Sequence, residues 1–154
     1  MVVVALKYFS NLKNGWATLT LGECVLRCSY IQDIPMTILR AWDEFKRNKY
    51  CVISIDSEGY ENEIVITELS VHVIKYHNFI YYDNLSKYFD TFKDKVKLLQ
   101  DLVVDIVSNI DDWAKWLCLT EPTMDCYENV INEYKRRIVK YADKIGIEYN
   151  RVYV

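Results

Sequence analysis

Asp56, Glu58, Glu61 and Glu63 crowd one short polar stretch of this chain, with Tyr60 among them. Carboxylates at that spacing can bind a cation, act as an acid–base pair, or meet a basic partner. Acid–base work needs two carboxylates facing each other in a cleft, and a hairpin tip is convex. A solvated turn accounts for the same residues, because charged side chains are normally exposed. Among the functional readings, partner binding fits best. Tyr60 suits it, since a half-buried tyrosine beside a loop is a common interface anchor. The candidate partner-binding set is therefore Asp56, Glu58, Tyr60, Glu61 and Glu63.

Other chemistry finds little to work with. The chain has no Cys-x-x-Cys pair. Cys24 and Cys28 fall on a strand pattern, which separates them by about 13 Å along the chain, too far to share one zinc. His72 and His77 do not converge locally, and His72 alternates with Ile74 as a packing residue would. Cys51 sits among Val52 and Ile53, where a buried thiol is inert. Gly-rich phosphate loops and a Gly-x-Ser-x-Gly elbow are both missing. The basic run Lys135, Arg136, Arg137 and Lys140 has Glu128 and Glu133 nearby and reads as the solvated face of a helix. The expectation is a chain without catalytic residues, metal or cofactor, and so not an enzyme.

The totals narrow the class further. At 154 residues the chain is expected to form one domain over 1–154. Its 51% apolar and 27% charged content is that of a globular protein able to bury a core. A formal charge of −3 disfavours nucleic acid, which demands many lysines and arginines on phosphates. The start, Met1 to Lys7, lacks the basic region and cleavage site of a signal peptide. No run approaches the ~18 apolar residues of a membrane span. Five cysteines without an export signal imply reduced thiols and a cytoplasmic location.

Periodicity then places the elements. Residues 2–9 read as a strand and Asn11 to Gly15 as a turn. Ala17, Leu19 and Leu21 alternate with Trp16, Thr18 and Thr20, and Cys24, Leu26 and Cys28 repeat the pattern after Gly22, which predicts a hairpin. Asp33 and Pro35 start a short helix with Leu39, Trp42 and Phe45 as its buried stripe. Tyr50 to Ile55 and Glu63 to Ile74 read as strands around a turn over Asp56 to Asn62. A long apolar stripe from Phe89 through Leu99, Val103, Ile106, Ile110 and Trp113 to Leu117 predicts a helix capped near Asn84 or Ser86. Ser108 to Asp111 predicts a break inside it. A last helix follows Thr120-Glu121-Pro122, with Tyr127, Val130, Tyr134, Ile138, Tyr141 and Ile145 inward and Gly146 as its stop. Ile147 to Val154 alternates weakly, as a final strand would. The expected fold is α+β: an antiparallel sheet of about five strands, a short inserted helix, and two or three longer C-terminal helices on one face.

Gly15-Trp16-Ala17, Ser29-Tyr30-Ile31-x-Asp33, Ile38-Leu39-Arg40-Ala41 and Asp56-x-Glu58-x-x-Glu61 together resemble a group of small bacterial immunity-like proteins, over residues 15–67. The chain departs from that outline at Ser57 and Gly59, which flank Glu58 in place of a Glu-Glu-Pro run. The resemblance implies a cytosolic protein that neutralises a cognate toxin domain, often a nuclease, by stoichiometric contact. Two alternatives stand beside it. One is an adaptor that forms a homodimer through the long helix. The other is a small ligand-binding protein or enzyme using the acidic turn.

Overall fold

A computed structural model of the chain describes residues 8–22, 24–77, 80–81, 87–89, 95–117 and 124–146. The protein is α+β, and its antiparallel strands form two sheets instead of the one expected. The first holds β1 (Phe9–Lys13), β2 (Trp16–Leu21) and β3 (Cys24–Ser29) in that order. The second holds β4 (Tyr50–Asp56), β5 (Tyr60–Thr67) and β6 (Val71–His77). The short segments β7 (Ile80–Tyr81) and β8 (Lys87–Phe89) both pair with β6.

Helix α1 (Ile34–Asn48) runs between the two sheets in sequence and separates β3 from β4. Those strands lie side by side without a hydrogen-bonded ladder. Side chains serve their edges instead. The Gln32 amide imitates a peptide group: it donates to the Ser54 carbonyl and accepts from the Asp56 N–H at 2.9 Å. Asp33 caps α1 by accepting from the Met36 N–H at 3.0 Å, and Pro35 occupies the first turn, as the sequence predicts. The helix ends at Lys49, whose φ of 65° is the left-handed conformation of a helix stop.

Alternation holds across both sheets. Ala17, Leu19, Leu21, Cys24, Leu26 and Cys28 are buried on one face of the first. Cys51, Ile53, Ile55, Ile64, Ile66, Val71 and Val73 are buried on one face of the second. The run Glu63 to Ile74 proves to be two strands, β5 and β6. Thr67 makes the turn between them, because its hydroxyl accepts from the N–H groups of Leu69 and Ser70. The turn expected over Asn11 to Gly15 shrinks to Asn14 and Gly15. Asn11 to Lys13 belong to β1, which carries an irregularity between Ser10 and Lys13.

The apolar stripe divides where the cap signal lies. Helix α2 (Lys95–Ser108) ends before Asn109, and α3 (Ile110–Leu117) begins after it. Leu99, Val103, Ile106, Ile110 and Trp113 are all buried. Phe89, the expected first residue of that stripe, belongs to strand β8, so the predicted helix start near Asn84 or Ser86 is displaced to Lys95. In α4 (Met124–Lys144), Tyr134, Ile138 and Ile145 face the core, but Val130 is 51% exposed. Gly146 has the positive φ expected of a stop. The expected first strand over residues 2–7 and the final strand over 147–154 lie outside the described residues. Buried side chains of both sheets and all four helices form one apolar cluster.

One buried charge joins the first sheet to the helices. The Asp105 carboxylate of α2 accepts from the N–H groups of Tyr8 and Phe9, at 2.8 and 3.1 Å, where β1 begins. Phe9 then packs edge-on against Trp113 of α3, with ring centroids 5.0 Å apart. The Trp116 indole donates to the Trp16 carbonyl at 3.0 Å. Asp105→Ala removes the acceptor of one buried and one partly buried donor. It should destabilise the protein by about 1.5–3 kcal/mol in urea denaturation, the range for a hydrogen bond to a charged group. An unchanged midpoint would show that the junction does not depend on this carboxylate.

Candidate functional site

The register of β4 and β5 runs from Tyr50↔Thr67 to Asp56↔Glu61 and leaves Ser57, Glu58 and Gly59 as the loop. Glu58 and Gly59 both have positive φ, 52° and 99°. Glycine adopts that conformation freely, but a glutamate there costs about 1–2 kcal/mol. Local bonds hold it. The Asp56 carboxylate accepts from the Glu58 N–H at 2.7 Å, an Asx-type turn. The Glu58 carboxylate accepts from the Ser29 hydroxyl at 2.7 Å, and Ser29 is fully buried. The Ser57 hydroxyl donates to the Arg27 carbonyl and accepts from the Asn62 amide. The acidic turn is therefore clamped to the edge of the first sheet and is not a free convex tip.

The five residues singled out from the sequence divide between two surfaces. Strand alternation puts Asp56, Glu61 and Glu63 on the face of the second sheet opposite its buried face. Asp56 and Glu61 sit directly across from each other. Like charges in opposed positions destabilise a sheet. Asp56 is accounted for by the turn it caps, which leaves the exposed Glu61 opposite it as the charge that strand pairing does not explain. Farther along the same face, Val52 pairs with Val65 and Val65 with His72, and Val52 is 39% exposed. An acidic end thus adjoins a partly exposed apolar strip.

Glu58 and Tyr60 face the other way. They line a groove of about 580 Å³ between the turn and β3, with Trp16, Val25, Arg27 and Asn62. The Arg27 guanidinium lies 4.0 Å over the Trp16 ring. That contact fixes a planar cation on an aromatic wall. Val25 is 56% exposed, Tyr60 49% exposed, and Asn62 buried. Trp16 belongs to the Gly-Trp-Ala motif, but nothing local marks Arg27, Val25 or Ser29 as neighbours of the turn. Their pairing depends on how α1 folds one sheet beside the other.

Two described thiols away from this region are shielded. Burial pushes the Cys28 thiol up to about 12, and burial together with the nearby Glu44 charge does the same to Cys51. Cys24, Cys28 and Cys51 are buried and form no disulfide. Among the described residues no three His, Cys, Asp or Glu side chains converge as a metal site would require. No described helix is long and apolar enough to cross a membrane.

No family model matches the chain, and comparison with curated proteins and with solved structures finds no significant match.

Two outcomes follow from this geometry. Glu58→Ala leaves the buried Ser29 hydroxyl without its acceptor and should destabilise by about 1–3 kcal/mol. Glu61→Ala should stay within about 0.5 kcal/mol. Equal effects of the two in urea denaturation would show that the turn is not clamped. Cys28 and Cys51, as protonated thiols, should resist alkylation of the native protein at pH 8 and react after denaturation. Rapid labelling of either in the native state, located by peptide mass mapping, would contradict their burial.

Proposed function

We propose that this chain is a non-enzymatic cytoplasmic protein that binds a basic partner protein, and that the partner is a cognate toxin domain neutralised by stoichiometric contact. The observation that carries the reading is the exposed carboxylate of Glu61, set opposite Asp56 on the sheet face away from the core. Asp56 also caps the turn, but the charge of Glu61 opposite it adds nothing to the strand pairing and is suited to meeting positive charge. A toxin nuclease must present lysine and arginine to its substrate. Carboxylates on an inhibitor imitate phosphate, speed the encounter and cover the site. The adjoining Val52–Val65 strip adds apolar area at the centre of such a contact. The motif resemblance over residues 15–67 supports the choice of a toxin over other basic proteins.

The adaptor alternative is weakened by burial. Leu99, Val103, Ile106, Ile110 and Trp113, the seam it would use, are enclosed by the protein's own core. The ligand-binding alternative has the Trp16–Arg27 groove in its favour.

Charge reversal on the open face tests the reading. Glu58 is unsuitable because it holds the turn, so Glu61→Lys and Glu63→Lys are combined. The double variant should remain folded by circular dichroism. Its affinity for the product of the neighbouring gene should fall about tenfold or more, mainly through a slower on-rate. Rising salt should weaken the wild-type complex in the same way. Undiminished affinity would remove the acidic face from the contact, and failure of the neighbouring product to bind would remove the immunity reading.

A further inference from the structure

We propose that the outer edge of β3 is a strand-addition site, where an extended segment of a basic partner pairs with Val25 and Arg27 and places its side chains in the adjoining groove. The proposal rests on the basic-partner reading for the chemistry of the incoming strand, but not for its location.

The backbone geometry fixes which groups face that edge. The Tyr30 N–H donates back across the hairpin to the Gly15 carbonyl at 2.9 Å, so residues of that parity point toward β2. In an antiparallel ladder a residue's N–H and C=O point the same way and neighbours point oppositely. Val25 and Arg27 therefore point outward. The Arg27 carbonyl confirms this, since it accepts from the Ser57 hydroxyl across the seam. The Val25 N–H and C=O and the Arg27 N–H are left, and no backbone group among the described residues pairs with them.

An open strand edge is normally blunted by a bulge, a charge or a cover. β1, at the opposite edge of the same sheet, shows such a device: its register breaks between Ser10 and Lys13, and Asn11 has a φ of 54°. β4 has Gln32 on its edge at Ser54 and Asp56. β3 is covered by the turn only at the Arg27 carbonyl, through Ser57, and among the described residues it has no bulge or cover over Val25. Its pairing to β2 is unbroken from Trp16↔Ser29 to Leu21↔Cys24. Its exposed edge residue is a β-branched valine, 56% accessible. The three open groups, from the Val25 N–H to the Arg27 N–H, span about 7 Å, enough to seat the end of an added segment.

The groove specifies the segment. Main-chain bonds supply affinity in strand addition, and alternate side chains supply specificity. A side chain entering beside β3 meets Trp16, Tyr60 and the apolar surface of Val25, with the Glu58 carboxylate at the turn. Glu58, which also holds the Ser29 hydroxyl, makes the turn end of the groove the place for a lysine or arginine of the incoming strand, away from the Arg27 cation at the Trp16 wall. Val25 suits a small apolar neighbour. Arg27, held flat on Trp16, offers its second face to a planar group. The partner segment is thus extended, with alternating basic and β-branched residues.

The test uses an alternating lysine–valine octapeptide with ¹⁵N-labelled full-length protein. Amide exchange at Val25 and Arg27 should be fast in the free protein and about tenfold slower with saturating peptide. N-methylation of every second peptide amide should abolish the effect, because it removes the main-chain donors and leaves the side chains. Val25→Pro should abolish it from the protein side, since proline removes an N–H that only an added strand would use. Val25→Thr should retain it. Peptide binding whose shifts are confined to Glu61 and Glu63 would overturn strand addition and leave the basic-partner reading standing. Equal binding by the N-methylated peptide, or no protection at any peptide concentration, would also overturn it. Concentration-dependent protection of Val25 and Arg27 in the protein alone would assign the edge to a second copy of this chain instead.

Discussion

The arrangement of the first sheet depends on a carboxylate buried inside the helical layer. Asp105 is 4% exposed and accepts two backbone N–H groups at the start of β1. A buried anion is tolerable only when its oxygens are occupied. Here Asn109 adds a third donor at 3.3 Å, while its amide also bonds the Asp105 carbonyl. The residue that satisfies the anion is thus also the one at which α2 gives way to α3. The resulting change of direction brings Trp113 against Phe9 and Trp116 against the Trp16 carbonyl. Charge satisfaction, helix break and sheet packing are one local solution.

Asp33 plays the corresponding part for the second half. One of its oxygens caps α1 and accepts from the Tyr134 hydroxyl at 2.8 Å, while the other pairs with Arg137 at 3.1 Å. The cap of the inserted helix is therefore also the docking point of α4. Lys46, near the other end of α1, donates to the Ile145 carbonyl. With α1 held at both ends, β3 and β4 are brought edge to edge without pairing. The seam between them is then bridged at one end by the Ser57, Glu58 and Gln32 side chains.

That seam gives the candidate site its two-sided character. On one side lies an open sheet face with opposed carboxylates, suited to long-range attraction of positive charge. On the other lies a groove lined by Trp16 and Tyr60 beside the edge of β3. In the binding mode proposed above, attraction would set the rate of encounter, and main-chain pairing with side-chain insertion would set how long a partner stays. The clamped turn between the two is rigid, so a partner would find Glu58 and Tyr60 already positioned.

Local patterns in the sequence determined much of this protein. Alternation in β2 and β3, the Asp33-Pro35 start of α1, the break near Ser108 and the stop at Gly146 all follow from interactions within a few residues of each other. Such interactions leave periodicity and capping residues in plain view. Readings that depended on the length of a run fared worse: Glu63 to Ile74 hid a turn made by a threonine hydroxyl, and Phe89 went to a strand. The number of sheets was decided by tertiary structure, because strand pairing across α1 depends on which edges meet and not on either strand's pattern. The same holds for the site. Asp56, Glu58, Tyr60, Glu61 and Glu63 stood out by composition, but their division between two faces needed the register of β4 and β5. Asp105 could not be picked out at all, since an acid in a helix is ordinary, and Ser29 stood in a motif whose spacing gives no sign that it holds Glu58. Their partners, Tyr8, Phe9 and Glu58, are distant in sequence, and only the folded chain brings each acceptor to its donor.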